Sequence, residues 1–212
     1  MKRLSVLGLC LGVVVVHAAS ARAVDIPFSF TATNDPSLIP DEGIAVFPLT
    51  MNSAYSDIVP APPYPMPNIR SLELVLTGLT HTYGGDLDIY LIDPFGKTLE
   101  IMTDRGNNAG ISDATLVFRD QPVGGGLTIP PLIGPIPSGT YLPEDSNNTG
   151  GFSKYIGGSG GTDAWILLVI DDFPADQGGL QAFTLRGTYV PEPVTLSLLA
   201  LGALMFLRRR RA

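Results

Sequence analysis

The stretch that decides the fold is Leu76–Gly106, LTGLTHTYGGDLDIYLIDPFGKTLEIMTDRG. Ser71–Leu79 runs into it and alternates Leu72, Leu74 and Leu76 against Glu73, Val75 and Thr77. A period of two sends successive side chains to opposite faces of a strand. Leu87–Ile92 repeats the pattern, with Leu87, Ile89 and Leu91 on one face and Asp88 and Tyr90 on the other. Asp93-Pro94-Phe95-Gly96 supplies turn residues, because proline presets one backbone angle and glycine accepts the next. Thr98–Thr103 then runs back. The spacing predicts a hairpin.

Working outward, Phe28–Thr33, Ile44–Leu49, Thr115–Phe118, Trp165–Asp171 and Thr184–Tyr189 have the length and composition of further strands. The chain carries 24 glycines and 19 prolines, which punctuate it every few positions and leave few helical windows. Many short strands with turn signals predict an all-β, antiparallel, jelly-roll-like β-sandwich. Pro60–Pro67, PAPPYPMP, reads as a stiff connector. Gly124–Gly126 and Gly157–Gly161 read as loops, and the second lacks the Lys-Ser/Thr of a phosphate cradle.

The two ends differ from the middle. Lys2 and Arg3 precede the apolar run Leu4–Val16, and Ala21-Arg22-Ala23 gives a small-residue cleavage pattern. That order is the grammar of a secretory signal peptide. Its removal takes away Cys10, the chain's one cysteine, and leaves His81 as the one histidine. The whole chain is −7, but residues 24–190 carry about −13 by count. Such a domain repels nucleic acid and anionic surfaces. The expected organisation is a signal segment over 1–23, a β-sandwich over 24–189 and a separate tail over 190–212.

Thr80-His81-Thr82-Tyr83, Gly85-Asp86-Leu87, Ile89-Tyr90-Leu91 and Pro94-Phe95-Gly96 together resemble the signature of the P domain, or homo B domain, of proprotein convertases and bacterial secreted proteins. Ile39-Pro40-Asp41, Pro137–Pro143, Trp165–Asp171 and Gly178–Leu185 extend the resemblance over most of Phe28–Tyr189. The family's Gly-Thr-Trp is here Gly161-Thr162-Asp163-Ala164-Trp165, and its second tryptophan is Phe183. The resemblance implies a jelly-roll-like sandwich with no catalysis of its own. It also implies a structural place for His81, and a partner such as a secreted subtilisin-like protease that the module serves in trans. One histidine and no cysteine give poor material for a catalytic triad or a zinc site.

Calcium takes about 6–8 oxygen ligands. The candidate set is Asp86, Asp88, Asp104, Asp120, Asp171 and Asp172. Asp86 and Asp88 share a strand face, and Asp171-Asp172 ends a strand that the resemblance places nearby. The competing reading for Asp86 and Asp171 is hydrogen bonding to turn amides. For Asp104, Asp120 and Asp172 it is a solvated surface. A third reading of the domain is carbohydrate binding to an exopolysaccharide matrix, with Tyr64, Tyr141, Phe152 and Tyr155 lining a groove.

The tail begins Pro191-Glu192-Pro193, continues as the apolar run Val194–Leu207 and ends in Arg208, Arg209, Arg210 and Arg211. A helix of about fourteen residues spans about 21 Å, short of the roughly 30 Å hydrocarbon core. The arginines favour a cytoplasmic end. The order resembles the PEP-CTERM sorting signal of exported proteins in Gram-negative bacteria. That resemblance implies a short transmembrane sorting helix held transiently in the inner membrane, cleavage by an exosortase, and delivery to the cell envelope, surface or exterior. A permanent anchor is the competing reading. The expectation is an exported, non-catalytic binding or structural protein.

Overall fold

The computed structural model describes residues 24–34, 38–51, 68–120, 127–147, 151–158, 160–161 and 163–190. The signal segment, the proline-rich connector, Gly124–Gly126 and the tail from Pro191 lie outside the described residues. The described chain is all-β. Its strands are β1 (Ile26–Thr33), β2 (Gly43–Leu49), β3 (Ile69–His81), β4 (Leu87–Ile92), β5 (Thr98–Met102), β6 (Ile111–Arg119), β7 (Gly139–Tyr141), β8 (Trp165–Asp171), β9 (Gly178–Gly179) and β10 (Ala182–Tyr189). Short 3-10 turns occupy Gly84–Asp86, Glu144–Asn147 and Gly151–Tyr155. Among the described residues no helix is long and apolar enough to cross a membrane.

The strands form two sheets. The first has the order β1-β10-β3-β6-β7, with β9 added to the end of β3. The second has the order β2-β8-β4-β5. Pairing is antiparallel except for β6 with β7. The alternation read from the sequence is the alternation of burial. Leu72, Leu74 and Leu76 of β3 face Leu87, Ile89 and Leu91 of β4 across one core, joined by Phe28, Phe30, Phe118, Leu167, Val169, Phe183 and Leu185. Apolar burial of this kind supplies most of a domain's stability, at about 25 cal/mol per Å² removed from water.

The predicted hairpin forms between β4 and β5. Asp93, itself buried, holds its turn by accepting from the N–H groups of Phe95 at 2.9 Å and Lys97 at 2.7 Å. A carboxylate that bonds the backbone two and four residues on mimics a turn's own hydrogen bond. Trp165 opens β8 and is fully buried; its indole N–H donates to the carbonyl of Gly160 at 3.0 Å. Tyr155 meets its ring edge-on at 5.0 Å. The phenol of Tyr155 donates to the carbonyl of Leu91 at 3.0 Å, and burial pushes its ionisation well above the usual range. The aromatic side chains expected of a glycan groove are therefore core residues where they are described: Tyr141, Phe152 and Tyr155 are all buried.

Several strands run past the bounds read from the sequence, β6 furthest. β6 starts at Ile111 rather than Thr115, because Ile111 and Ala114 reach β3 across register shifts that the period of two does not encode. β3 runs on to His81, carrying the Thr80-His81 part of the motif to the sheet's end.

Candidate functional site

The end of the sandwich where β3 and β8 stop and β4 starts carries most of the chemistry-bearing side chains. His81 closes β3 and Asp171 closes β8, and both side chains are fully buried. His81 Nε2 lies 3.1 Å from Asp171 Oδ2. Nδ1 faces the backbone of Tyr83, 2.7 Å from its carbonyl oxygen and 3.2 Å from its nitrogen. The other oxygen of Asp171 accepts from the N–H of Phe173 at 3.3 Å. Both ring nitrogens and both carboxylate oxygens are thus engaged inside the protein. Gly178 of β9 packs on the ring, where an added Cβ would sit 2.3 Å from His81 Cδ2.

Asp86 ends the 3-10 turn Gly84–Asp86, beside this pair. Burial first, then a hydrogen bond to the Asp176 carboxyl and the charges of Asp176, Asp171 and Asp172, together raise its pKa to about 6. Asp176 also accepts from the hydroxyl of Thr82 at 2.6 Å. The loop that brings it in is pinned by Asp41, which accepts from the N–H of Ala175 at 2.8 Å. Asp88, two residues on, is likewise raised to about 6, first by burial and then by the charges of Asp104, Asp172, Glu100 and Glu144. Glu144 itself is paired with Arg105.

Five of the six candidate aspartates therefore gather at one end, with different surroundings. Asp86 and Asp104 border a cleft of about 340 Å³ with Tyr83, Asn107, Leu132 and Ile133. Asp104 sits in a turn at a positive φ of 50°. Asp172 is exposed, and its N–H donates to the carbonyl of Asp86 at 3.1 Å. Asp171 points into the core at His81. Asp120 is elsewhere, accepting from the N–H of Phe152 at 2.8 Å, with burial raising its pKa. As one ligand set the six do not fit a metal. Among the described residues, no group of three or more His, Cys, Asp or Glu side chains is placed to hold an ion. Asp176 and Asp41 were missed in the sequence, because their loop reaches Asp86 only through tertiary contacts.

The like-charge crowding has a measurable sign. Asp86 and Asp88 rise from 3.8 to about 6 on folding, so the folded state holds their protons more tightly than the unfolded chain. That stabilisation is complete below the unfolded value and is lost as pH rises through about 6. The melting midpoint is expected to fall between about pH 4 and 6 and to level off above that. An Asp86→Asn/Asp88→Asn variant should melt higher at neutral pH, with a shallower slope. Equal slopes for the two proteins would remove these carboxyls as the cause.

The outer face of the second sheet is the other candidate. Register places Pro48, Ile166 and Ile92 in one row, then Val46, Leu168 and Tyr90, then Ile44, Ile170 and Asp88. All but Asp88 are apolar or aromatic. Ile44 is 60% exposed and Val46 55%. Glu100 of β5 stands beside Tyr90, so one flank of the face is acidic. In the sequence, Trp165–Asp171 reads as a strand with neither face assigned. Among the described residues only its inner side is covered.

No protein-family model matches the chain, and no curated protein matches it significantly. Among solved structures, a crystal structure of the Aeromonas sobria serine protease in complex with the chaperone ORF2 gives a TM-score of 0.40 at 14% identity, over 81% of this chain and 28% of that one. A crystal structure of the serine protease of Aeromonas sobria gives 0.38 at 15% identity, over 79% and 27%. This chain spans less than a third of the length of either solved chain. Scores of this size carry no argument about function.

Proposed function

We propose that the protein is an exported, non-catalytic binding module of P-domain-like, jelly-roll type, and that its working surface is the outer face of the β2-β8-β4-β5 sheet. The observation that carries this reading is the three-row apolar face, with Ile44 and Val46 more than half exposed in an otherwise acid-rich domain. Contiguous exposed apolar surface marks interaction sites. Its acidic flank, Asp88 and Glu100, selects a partner protein that brings an apolar patch edged by Lys or Arg. A secreted subtilisin-like protease with such a patch is one partner of that chemistry.

The non-catalytic part of the proposal is supported by His81 and Asp171. A general base must reach the proton it takes, and this histidine is fully buried with both nitrogens bonded. The compartment follows from the resemblances at the two ends. The N-terminal segment would direct export, and the Pro191-Glu192-Pro193 tail would be held in the inner membrane until an exosortase acts, delivering the domain to the envelope or exterior. Calcium enters the proposal as a stabiliser at Asp86 and Asp176, where it would replace a shared proton, with carbonyl and water oxygens completing its shell.

The test is cross-linking in the native exporting cell, comparing wild type with Val46→Asp/Leu168→Asp. Both changes lie on the sheet's outer face, so the melting midpoint should hold within a few degrees. Wild type should cross-link to one polypeptide, and the double variant should lose that product while still being exported. A double variant cross-linked like wild type would reject this face as the working surface.

A further inference from the structure

At the end of the sandwich where β3 and β8 stop, two large aliphatic side chains stand out of an acidic surface. Leu132 is 56% exposed and Ile133 72%. Single exposed apolar residues are ordinary. These two are adjacent, and they form one lip of the cleft that Tyr83, Asp86, Asp104 and Asn107 complete. The bend that carries them is tied down. The carbonyl of Pro131 accepts from the N–H of Gly106 at 2.9 Å. Ile136 is buried and packs on Gly106, where an added Cβ would sit 3.3 Å from its Cδ1. The opposite wall is tied as well. The N–H of Gly84 donates to the carbonyl of Ala109 at 2.8 Å, and that of Gly85 to the carbonyl of Asn107 at 2.9 Å. The cleft is thus preformed, so little ordering is needed on binding.

Its floor is negative and open. Asp104 is exposed and makes no hydrogen bond or ion pair among the described residues. The neighbouring cation, Arg105, is taken by Glu144. The charges of Asp104 and Asp172 both act on Asp88, so Asp104 sits in a field of its own sign. Nothing of this chain neutralises it in a domain that carries about −13 by count. A free carboxylate below an apolar lip selects a group with a cationic tip and an apolar stem, which is the chemistry of a long basic side chain. Arginine fits best, because its fork matches a carboxylate in bidentate fashion and its flat face suits an aromatic wall such as Tyr83. At about 340 Å³ the cleft has room for one side chain and little more.

The cleft is also the accessible end. Ile26 pairs with Tyr189 at the far end of the first sheet, so the segments before β1 and after β10 leave from the end opposite the cleft. A partner can reach it even while the tail is held in a membrane. We propose that this cleft docks an arginine side chain of a partner polypeptide, with an apolar neighbour of that arginine resting on Leu132 and Ile133.

The experiment is an NMR titration of the full chain in mild detergent, at neutral pH and low salt, with EGTA present so that no calcium competes. The probe is the capped peptide Ala-Leu-Arg-Leu-Ala. One comparator has glutamine in place of the arginine, and the other has serine in place of both leucines. The glutamine peptide should bind about tenfold more weakly or worse, and the serine peptide severalfold more weakly. Added salt should weaken the arginine peptide. Asp104→Asn should weaken it about fivefold or more, with the melting midpoint no lower, because asparagine also accepts the positive φ of 50° at this position. Leu132→Ser/Ile133→Ser should weaken it severalfold with the midpoint held. No binding at about millimolar arginine peptide, arginine and glutamine peptides binding alike, or Asp104→Asn at wild-type affinity would each overturn the proposal. Val46→Asp/Leu168→Asp lies on the outer sheet face and should not weaken the peptide, so this cleft and that face fail independently.

Discussion

His81→Ala is expected to lower the stability of the domain by about 3–5 kcal/mol, the cost of leaving a buried carboxylate without its hydrogen-bond partner. The size follows from what is left behind. Asp171 would keep a carboxylate fully buried, with Oδ1 bonded to Phe173 and Oδ2 facing a void. Burial disfavours the charged form of an unpaired carboxyl. The loss also spreads, because His81 links the end of β3 through Asp171 to the end of β8, and Gly178 of β9 packs on its ring. Asp171→Asn should cost less, since the amide oxygen still accepts from Nε2–H and no charge is stranded. Urea titrations of the three proteins give the comparison. A cost below about 1 kcal/mol for His81→Ala would show that water reaches Asp171 and that the pair is not what ties the two sheets at this end.

The elements that were legible in the sequence are those whose burial alternates. β4 buries every second residue, β10 buries Phe183, Leu185 and Tyr189, and the alternating Leu72, Leu74 and Leu76 of β3 are buried, so a period of two is visible without any knowledge of partners. β8 was legible as a strand but not in its two-sidedness. Trp165, Leu167 and Val169 go inward while Ile166, Leu168 and Ile170 form the outer face, and all six are apolar, so no pattern separates them. β7 and β9 are too short to carry a period and exist only because a longer strand offers them an edge.

The site was legible as a set of residue types and not as a geometry. Spacing placed Asp86 and Asp88 on one strand face, but only Asp88 is in β4; Asp86 ends the 3-10 turn before it. In the sequence Asp171, as a turn-amide acceptor, already stands apart from Asp172, as a solvated surface residue; Asp171 is buried, bonded to the N–H of Phe173 and facing His81, and Asp172 is exposed. A one-residue offset at a strand end reverses the face a side chain meets. Asp120 belonged by composition alone, because nothing local says that the 3-10 turn Gly151–Tyr155 folds back to it.

Gly187→Ala should be more damaging than a glycine near a strand's end suggests. In AFTLRGTY a glycine reads as a weak point, a residue with no side chain to pack. The structure gives it a positive role. A Cβ there would lie 1.9 Å from the backbone oxygen of Ser71 and 3.1 Å from the ring of Phe28. The first of these is main chain of β3 and has no rotamer to escape into. One methyl group would push β10 from β3 beside the register shift at Thr188/Tyr189 and disturb the pairing of β10 with β1 on its other side. Overpacking usually costs about 1–3 kcal/mol, and contact with backbone at the centre of a sheet belongs at or above the top of that range. Gly96→Ala supplies the comparison. Its φ of 82° penalises a side chain, but a Cβ there meets nothing within 4 Å, so it should cost about 1–2 kcal/mol from backbone strain alone. Equal losses for the two variants would mean that β10 and β3 can part at Gly187 without penalty, and that strand closeness is not why glycine stands there.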